Sequence, residues 1–68
     1  MSDVYKMTEI IGTSKESFAD AAKQGVERAA KTLRGIKWFE VTEFRGKVKD
    51  GQVAEFQTTM KVGFKLEE

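Results

Sequence analysis

The run Lys49-Asp50-Gly51-Gln52 narrows the fold more than any other feature of this chain. Asp-Gly suits the two positive φ angles of a type I′ turn, which joins two strands in a tight hairpin. Residues that favour strands lie on both sides of it. Before the turn, Ile36 to Lys49 carries Ile36, Trp38, Phe39, Val41, Thr42, Phe44 and Val48. After it, Gln52 to Leu66 alternates. Phe56, Thr58, Met60, Val62, Phe64 and Leu66 take one face; Glu55, Gln57, Thr59, Lys61 and Lys65 take the other. With Asp50 and Gly51 as the turn, Lys49 faces Gln52. Counting back puts Phe39 opposite Val62 and Val41 opposite Met60 on an apolar face. The other face then pairs Trp38 with Gly63, Glu40 with Lys61, Thr42 with Thr59, and Phe44 with Gln57. A single bulge would flip every side chain beyond it.

Upstream, Val4 to Ile11 reads as a strand ended by Gly12. Thr13-Ser14-Lys15-Glu16 fits a capping box. Phe18, Ala21, Ala22, Gly25, Val26, Ala29, Ala30 and Leu33 then recur at helical steps, with Lys23, Glu27, Lys31 and Arg34 on the opposite face. Early acids and late bases suit the helix dipole. Gly35 suits the residue after the helix. The spacing predicts a helix over about 14 to 34. Its stripe is mostly Ala and Gly, which lets the helix pack close to a sheet. The fold class is α+β: β-α-β-β, with a three-stranded antiparallel sheet wrapped on one helix, in a single domain over 1–68.

Size bears on assembly. The chain has 68 residues, and a domain of this length buries only about 60% of its unfolded surface. Small scaffolds of this kind usually add a disulfide, a metal or further copies of themselves. There is no Cys and no His, so disulfides, Cys/His zinc sites, Cys nucleophiles and His bases are excluded. No dense acidic cluster suggests a calcium loop. Oligomerisation is therefore the leading expectation. Twelve basic against eleven acidic residues leave a net charge of +1, which argues against a general nucleic-acid binder. No stretch approaches the ~20 apolar residues of a membrane span, and the first residues lack a signal-peptide layout. A cytoplasmic protein is the default expectation.

Function first shows on the face away from the helix. Trp38 beside Gly63, with Gln57 on the same face, permits two readings. One is a subunit interface, where aromatic residues are enriched. The other is a flat π-system stacked on Trp38, with Gln57 giving donor and acceptor contacts to its edge. Both hold together if a ligand binds between subunits.

The residues resemble a known family. The runs Val4-Tyr5-Lys6, Gly12-Thr13-Ser14, Gly35 to Val41 (with Trp38 and Glu40), Arg45-Gly46, Phe56-Gln57 and Val62 to Leu66 look like a bacterial dodecin across essentially the whole chain. The resemblance implies a small flavin-binding protein that assembles as a hollow homododecamer with 23 symmetry. Flavins would bind in pairs near two-fold axes, stacked between symmetry-related tryptophans. Trp38 matches the stacking residue and Gln57 the residue at the isoalloxazine edge. Arg45 stands where bacterial members hold the FMN phosphate, which tilts the chain toward FMN over riboflavin. Glu43 stands where a family acid approaches the ribityl chain. Coenzyme A binding near the three-fold axes is also implied, with Lys6, Arg28, Thr32, Arg34 and Lys65 as candidates; the plain alternative for each is a solvated charge.

The function so implied is flavin storage and sequestration, not catalysis. Trp38 would quench the photochemistry of the stacked flavin. No paired acids suited to general acid–base work are placed near one another. The alternatives are a flavin-dependent redox subunit and a pure assembly or interaction module. The register puts Glu43 and Arg45 on the face opposite Trp38 and Gln57. Either a bulge lies between them, or these side chains reach around the strand or come from a neighbouring subunit.

Overall fold

The structure is a computed structural model, which describes residues 2–67. Four elements follow one another: β1 (Tyr5–Ser14), α1 (Phe18–Ala29), β2 (Ile36–Lys49) and β3 (Gln52–Lys65). The sheet is three-stranded and antiparallel in the order β1-β3-β2. The last strand is therefore the central one, and α1 carries the chain across it from one edge to the other.

The turn forms as the sequence predicts. Asp50 and Gly51 have φ of 53° and 74°, and Lys49 faces Gln52. At the far end Trp38 faces Gly63, Phe39 faces Val62, Glu40 faces Lys61 and Val41 faces Met60, again as expected. The middle differs by one step. Glu43 faces Thr59, Phe44 faces Thr58 and Arg45 faces Gln57. Two compensating irregularities cause this. Ala54 is the extra residue on β3, and Thr42 is the extra residue on β2. The bulged Thr42 hydroxyl donates to the Thr59 carbonyl at 3.3 Å. The expected pairs Thr42–Thr59 and Phe44–Gln57 are thus corrected. Phe44 turns to the helix side, where its ring meets Phe18 edge-on at 5.0 Å between centroids.

Two other boundaries move. β1 runs through Gly12 to Ser14 instead of ending at Gly12. The helix is shorter than the predicted 14–34. Its cap is Ser17, whose Oγ accepts the Asp20 N–H at 2.9 Å. Ser14 still binds the turn: its Oγ accepts the Glu16 N–H at 2.8 Å and donates to Asp20 Oδ2 at 2.6 Å. The acid partnering the serines is Asp20, so the expected box with Glu16 does not form. After Ala29 the chain continues in turns, with Lys31 N–H and Thr32 N–H bonded three residues back, up to Gly35 at a φ of 74°.

α1 lies over β1 and β3 and scarcely reaches β2. The buried apolar side chains are few: Ala21 and Ala22 from the helix, Met60 and Val62 from β3. Thr58 is also fully buried, and its hydroxyl ties β3 to the helix by donating to the Phe18 carbonyl at 2.9 Å. The fold is elongated, 54 × 20 × 13 Å, with a radius of gyration of 14.0 Å, against about 11 Å for a compact domain of this length. The reason is geometric. A 12-residue helix is about 18 Å long, whereas 14-residue hairpin arms reach about 45 Å. The distal hairpin therefore projects past its cover and leaves Val48 and Val53 exposed, while Phe39, Val41 and Phe44 stay exposed because the helix scarcely reaches β2.

Candidate functional site on the open face of the sheet

Alternation along the strands defines a face with no helix on it. β1 contributes Tyr5, Met7, Glu9, Ile11 and Thr13; β3 contributes Gln57, Thr59, Lys61, Gly63 and Lys65. β2 contributes Trp38 and Glu40 and, past the bulge, Glu43 and Arg45. The Thr42 bulge thus lies between Trp38 and Arg45 and brings Arg45 directly opposite Gln57. The flat-register expectation that Glu43 and Arg45 occupy the helix side is corrected. Without the extra residue, period-two alternation would hold them there.

Trp38 sits over its cross-strand partner. A Cβ built on Gly63 would overlap the Trp38 six-membered ring, so only glycine leaves room for the indole there. Tyr5, from the far edge of the sheet, meets the indole edge-on, with ring centroids 5.0 Å apart and planes at 64°. Trp38 is nonetheless 40% exposed. Its neighbours Tyr5 and Met7 on the same face are exposed too, and a contiguous apolar patch marks a binding or interface surface.

The polar end of the face is separate. Arg45 Nη2 pairs with Glu43 Oε1 at 2.6 Å, both side chains being more than half exposed. Gln57 Nε2 donates to Glu55 Oε1 at 3.0 Å. Gln57 and Gly63 are six residues apart on β3, about 20 Å along an extended strand. Three fused rings lying on Trp38 do not span that distance, so one chain does not bring Trp38 and Gln57 to one flat ligand.

The remaining candidates are dispersed. Arg34 and Lys65, with Lys37, line a cleft of about 870 Å³ between the two chain ends. There Lys65 Nζ is 3.2 Å from Asp3 Oδ1. Arg28 lines a smaller groove of about 260 Å³ between β1 and the helix. Lys6 and Thr32 line neither, and the Thr32 hydroxyl donates to the Ala29 carbonyl at 3.3 Å. Tyr5, which touches Trp38, is a residue to which the sequence alone assigns no functional role.

Comparison with known proteins shows the family. The sequence model of the dodecin family matches residues 4–67. A curated dodecin from Thermus thermophilus is 47% identical over 68 residues, covering 100% of this chain and 99% of that protein. This chain belongs to the dodecin family. The dodecin from Streptomyces davaonensis superposes with a TM-score of 0.96 at 48% identity, over 100% of both chains. A calcium-chelating dodecin from Mycobacterium tuberculosis, described with a novel calcium-binding site, matches with a TM-score of 0.82 at 34% identity, over 94% of this chain and 91% of that one. Among the described residues of this dodecin chain, no three acids gather as a metal site would require. No described helix is long and apolar enough to cross a membrane.

Proposed function

We propose that this dodecin is a cytoplasmic flavin store: a homododecamer that binds FMN in preference to riboflavin and performs no catalysis. The observation that carries the reading is Trp38, an indole packed over Gly63 and still 40% exposed on the helix-free face of the sheet. The residues fit a flavin. An open indole face accepts a flat ring. The Gln57 amide offers a donor and an acceptor to a ring edge. The Arg45 guanidinium suits phosphate oxygens, and Glu43 beside it suits hydroxyls. When bound, the flavin supplies a light-absorbing, electron-accepting ring, against which Trp38 stands as the electron donor that drains the excited state.

The spacing along β3 supports assembly. One chain offers Trp38 and the Gln57–Arg45 end about 20 Å apart, so a complete site takes them from different copies. The apolar residues left bare on β2 give those copies a surface to bury. The terminal cleft with Arg34 and Lys65 is of a size for a second, larger anion such as coenzyme A.

A visible absorption spectrum across the size-exclusion peak tests the reading. Flavin bands co-eluting with a large assembly are expected after incubation with FMN. An assembly that stays colourless favours a pure interaction module. Steady NAD(P)H oxidation that depends on Trp38 and Gln57 favours a redox subunit. Arg45→Ala is expected to weaken FMN by about tenfold, the worth of a charge-assisted contact to phosphate, while riboflavin affinity stays near that of the parent. Paired fluorescence titrations with the two flavins check this, and equal losses for both would refute a phosphate role.

A further inference from the structure

We propose that Tyr5 is a positioning residue for the flavin site: its ring fixes the Trp38 indole in the orientation that presents one open face to the ligand. This deepens the flavin reading and rests on it for the consequence, though not for the contact itself. Trp38 belongs to β2 and Tyr5 to β1, the two edges of the sheet, and the central strand separates them. They meet only because the strand between carries Gly63. With no side chain there, the indole lies across β3 and comes within edge-to-face contact of the Tyr5 ring. Met7 is the direct β1 partner of Gly63, and Tyr5 faces Lys65, two residues further along β3. Tyr5 thus holds the diagonal position, within reach of an aromatic side chain.

The indole is held on two sides. Gly63 provides a floor, and Tyr5 provides a wall at 5.0 Å and 64°, a geometry that sets ring edge against ring face. A Trp on an edge strand, without such a wall, would exchange rotamers, and each ligand would have to immobilise it on binding. Holding it beforehand removes that cost and strengthens binding. The described hydrogen bonds include none from the Tyr5 hydroxyl to a side chain, so the ring is the working part.

The chain has one Trp, so indole fluorescence anisotropy and near-ultraviolet circular dichroism above the tyrosine bands report Trp38 alone. In flavin-free protein, Tyr5→Leu is expected to give fast local indole motion and a weakened Trp dichroic band, while Tyr5→Phe keeps both parental signals. FMN affinity is expected to fall about three- to tenfold in Tyr5→Leu, the range for an edge-to-face aromatic pair, and to stay within about twofold in Tyr5→Phe. Size-exclusion chromatography verifies assembly. If Tyr5→Leu does not assemble, Tyr5→Met, which keeps bulk without a ring, carries the same outcomes. An unchanged Trp signal and FMN affinity in the ringless variant would overturn the inference. So would a Phe variant as impaired as the Leu variant. A parent protein that takes up no FMN refutes the flavin reading, and the anisotropy comparison still decides whether Tyr5 holds the indole.

Discussion

Trp38→Ala is expected to weaken FMN binding by about 5- to 100-fold and to leave the FMN that still binds fluorescent. The magnitude follows from the worth of a flat ring stacked on an aromatic side chain, about 1–3 kcal/mol, at about 1.4 kcal/mol per tenfold. The loss of quenching follows from the proposed role of the indole as electron donor to the stacked ring. Folding should change little. The indole is 40% exposed and lies on the open face, away from Met60, Val62 and the helix. Trp38→Phe separates the two effects, since it keeps a stacking face and removes the better donor. It should bind more tightly than the Ala variant and quench less than the parent. Titration of FMN fluorescence, with the assembly checked on a sizing column, reads both quantities. An Ala variant that binds and quenches like the parent would refute the stacking site.

The hairpin shows how far such a site can be read without coordinates. Asp50-Gly51 pins the register at the turn by local chemistry, and the pairs near Trp38 come out as counted. Between them the sheet shifts by one residue at Ala54 and shifts back at Thr42. Neither residue is a glycine or proline, and neither carries a turn signal. The bulge at Thr42 is accompanied by a hydroxyl-to-carbonyl contact at 3.3 Å across the strands, which alternation does not encode. Its effect is confined to a few positions, yet these include Phe44, Glu43 and Arg45. Trp38 and Gln57 were therefore assigned to the correct face, whereas Glu43 and Arg45 were not.

The other differences share a cause. Periodicity continues past Ala29 through Leu33, but there the Lys31 and Thr32 N–H groups bond three residues back, a tighter winding that the pattern does not distinguish from an α-helix. The place of Tyr5 beside Trp38 is not legible in the sequence because β1 joins the sheet through a helix. No tight turn sets its register, and its meeting with Trp38 is a tertiary fact. Gly12 reads as the end of a strand because glycine so often punctuates one. Here it is a contact residue inside the strand.

That contact yields the largest expected effect on stability. Gly12 is buried on the inner face of β1, opposite Thr58. A Cβ there would overlap the Ala21 carbonyl oxygen and stand 3.1 Å from the Gly25 nitrogen. Both obstacles are helix backbone, so no rotamer change relieves the clash and α1 must lift from the sheet. Gly12→Ala is expected to destabilise the fold by about 3 kcal/mol, toward the upper end for overpacking a close-packed site. That corresponds to a fall of roughly 10 °C or more in Tm for a domain of this size. Thermal unfolding must be compared at one protein concentration, because assembly makes Tm depend on it. Gly46→Ala is the control: its added Cβ would meet one carbonyl, that of Glu55, at 3.1 Å, on a strand the helix scarcely covers. The two variants lose the same helix propensity, namely none, since both positions lie in strands. A difference between them therefore isolates the helix contact. Lifting α1 also loosens β3, whose other face carries Gly63 beneath Trp38. Gly12→Ala protein that remains folded should accordingly bind FMN more weakly than the control. A Gly12→Ala variant as stable as Gly46→Ala would show that the helix does not press on β1 at this point.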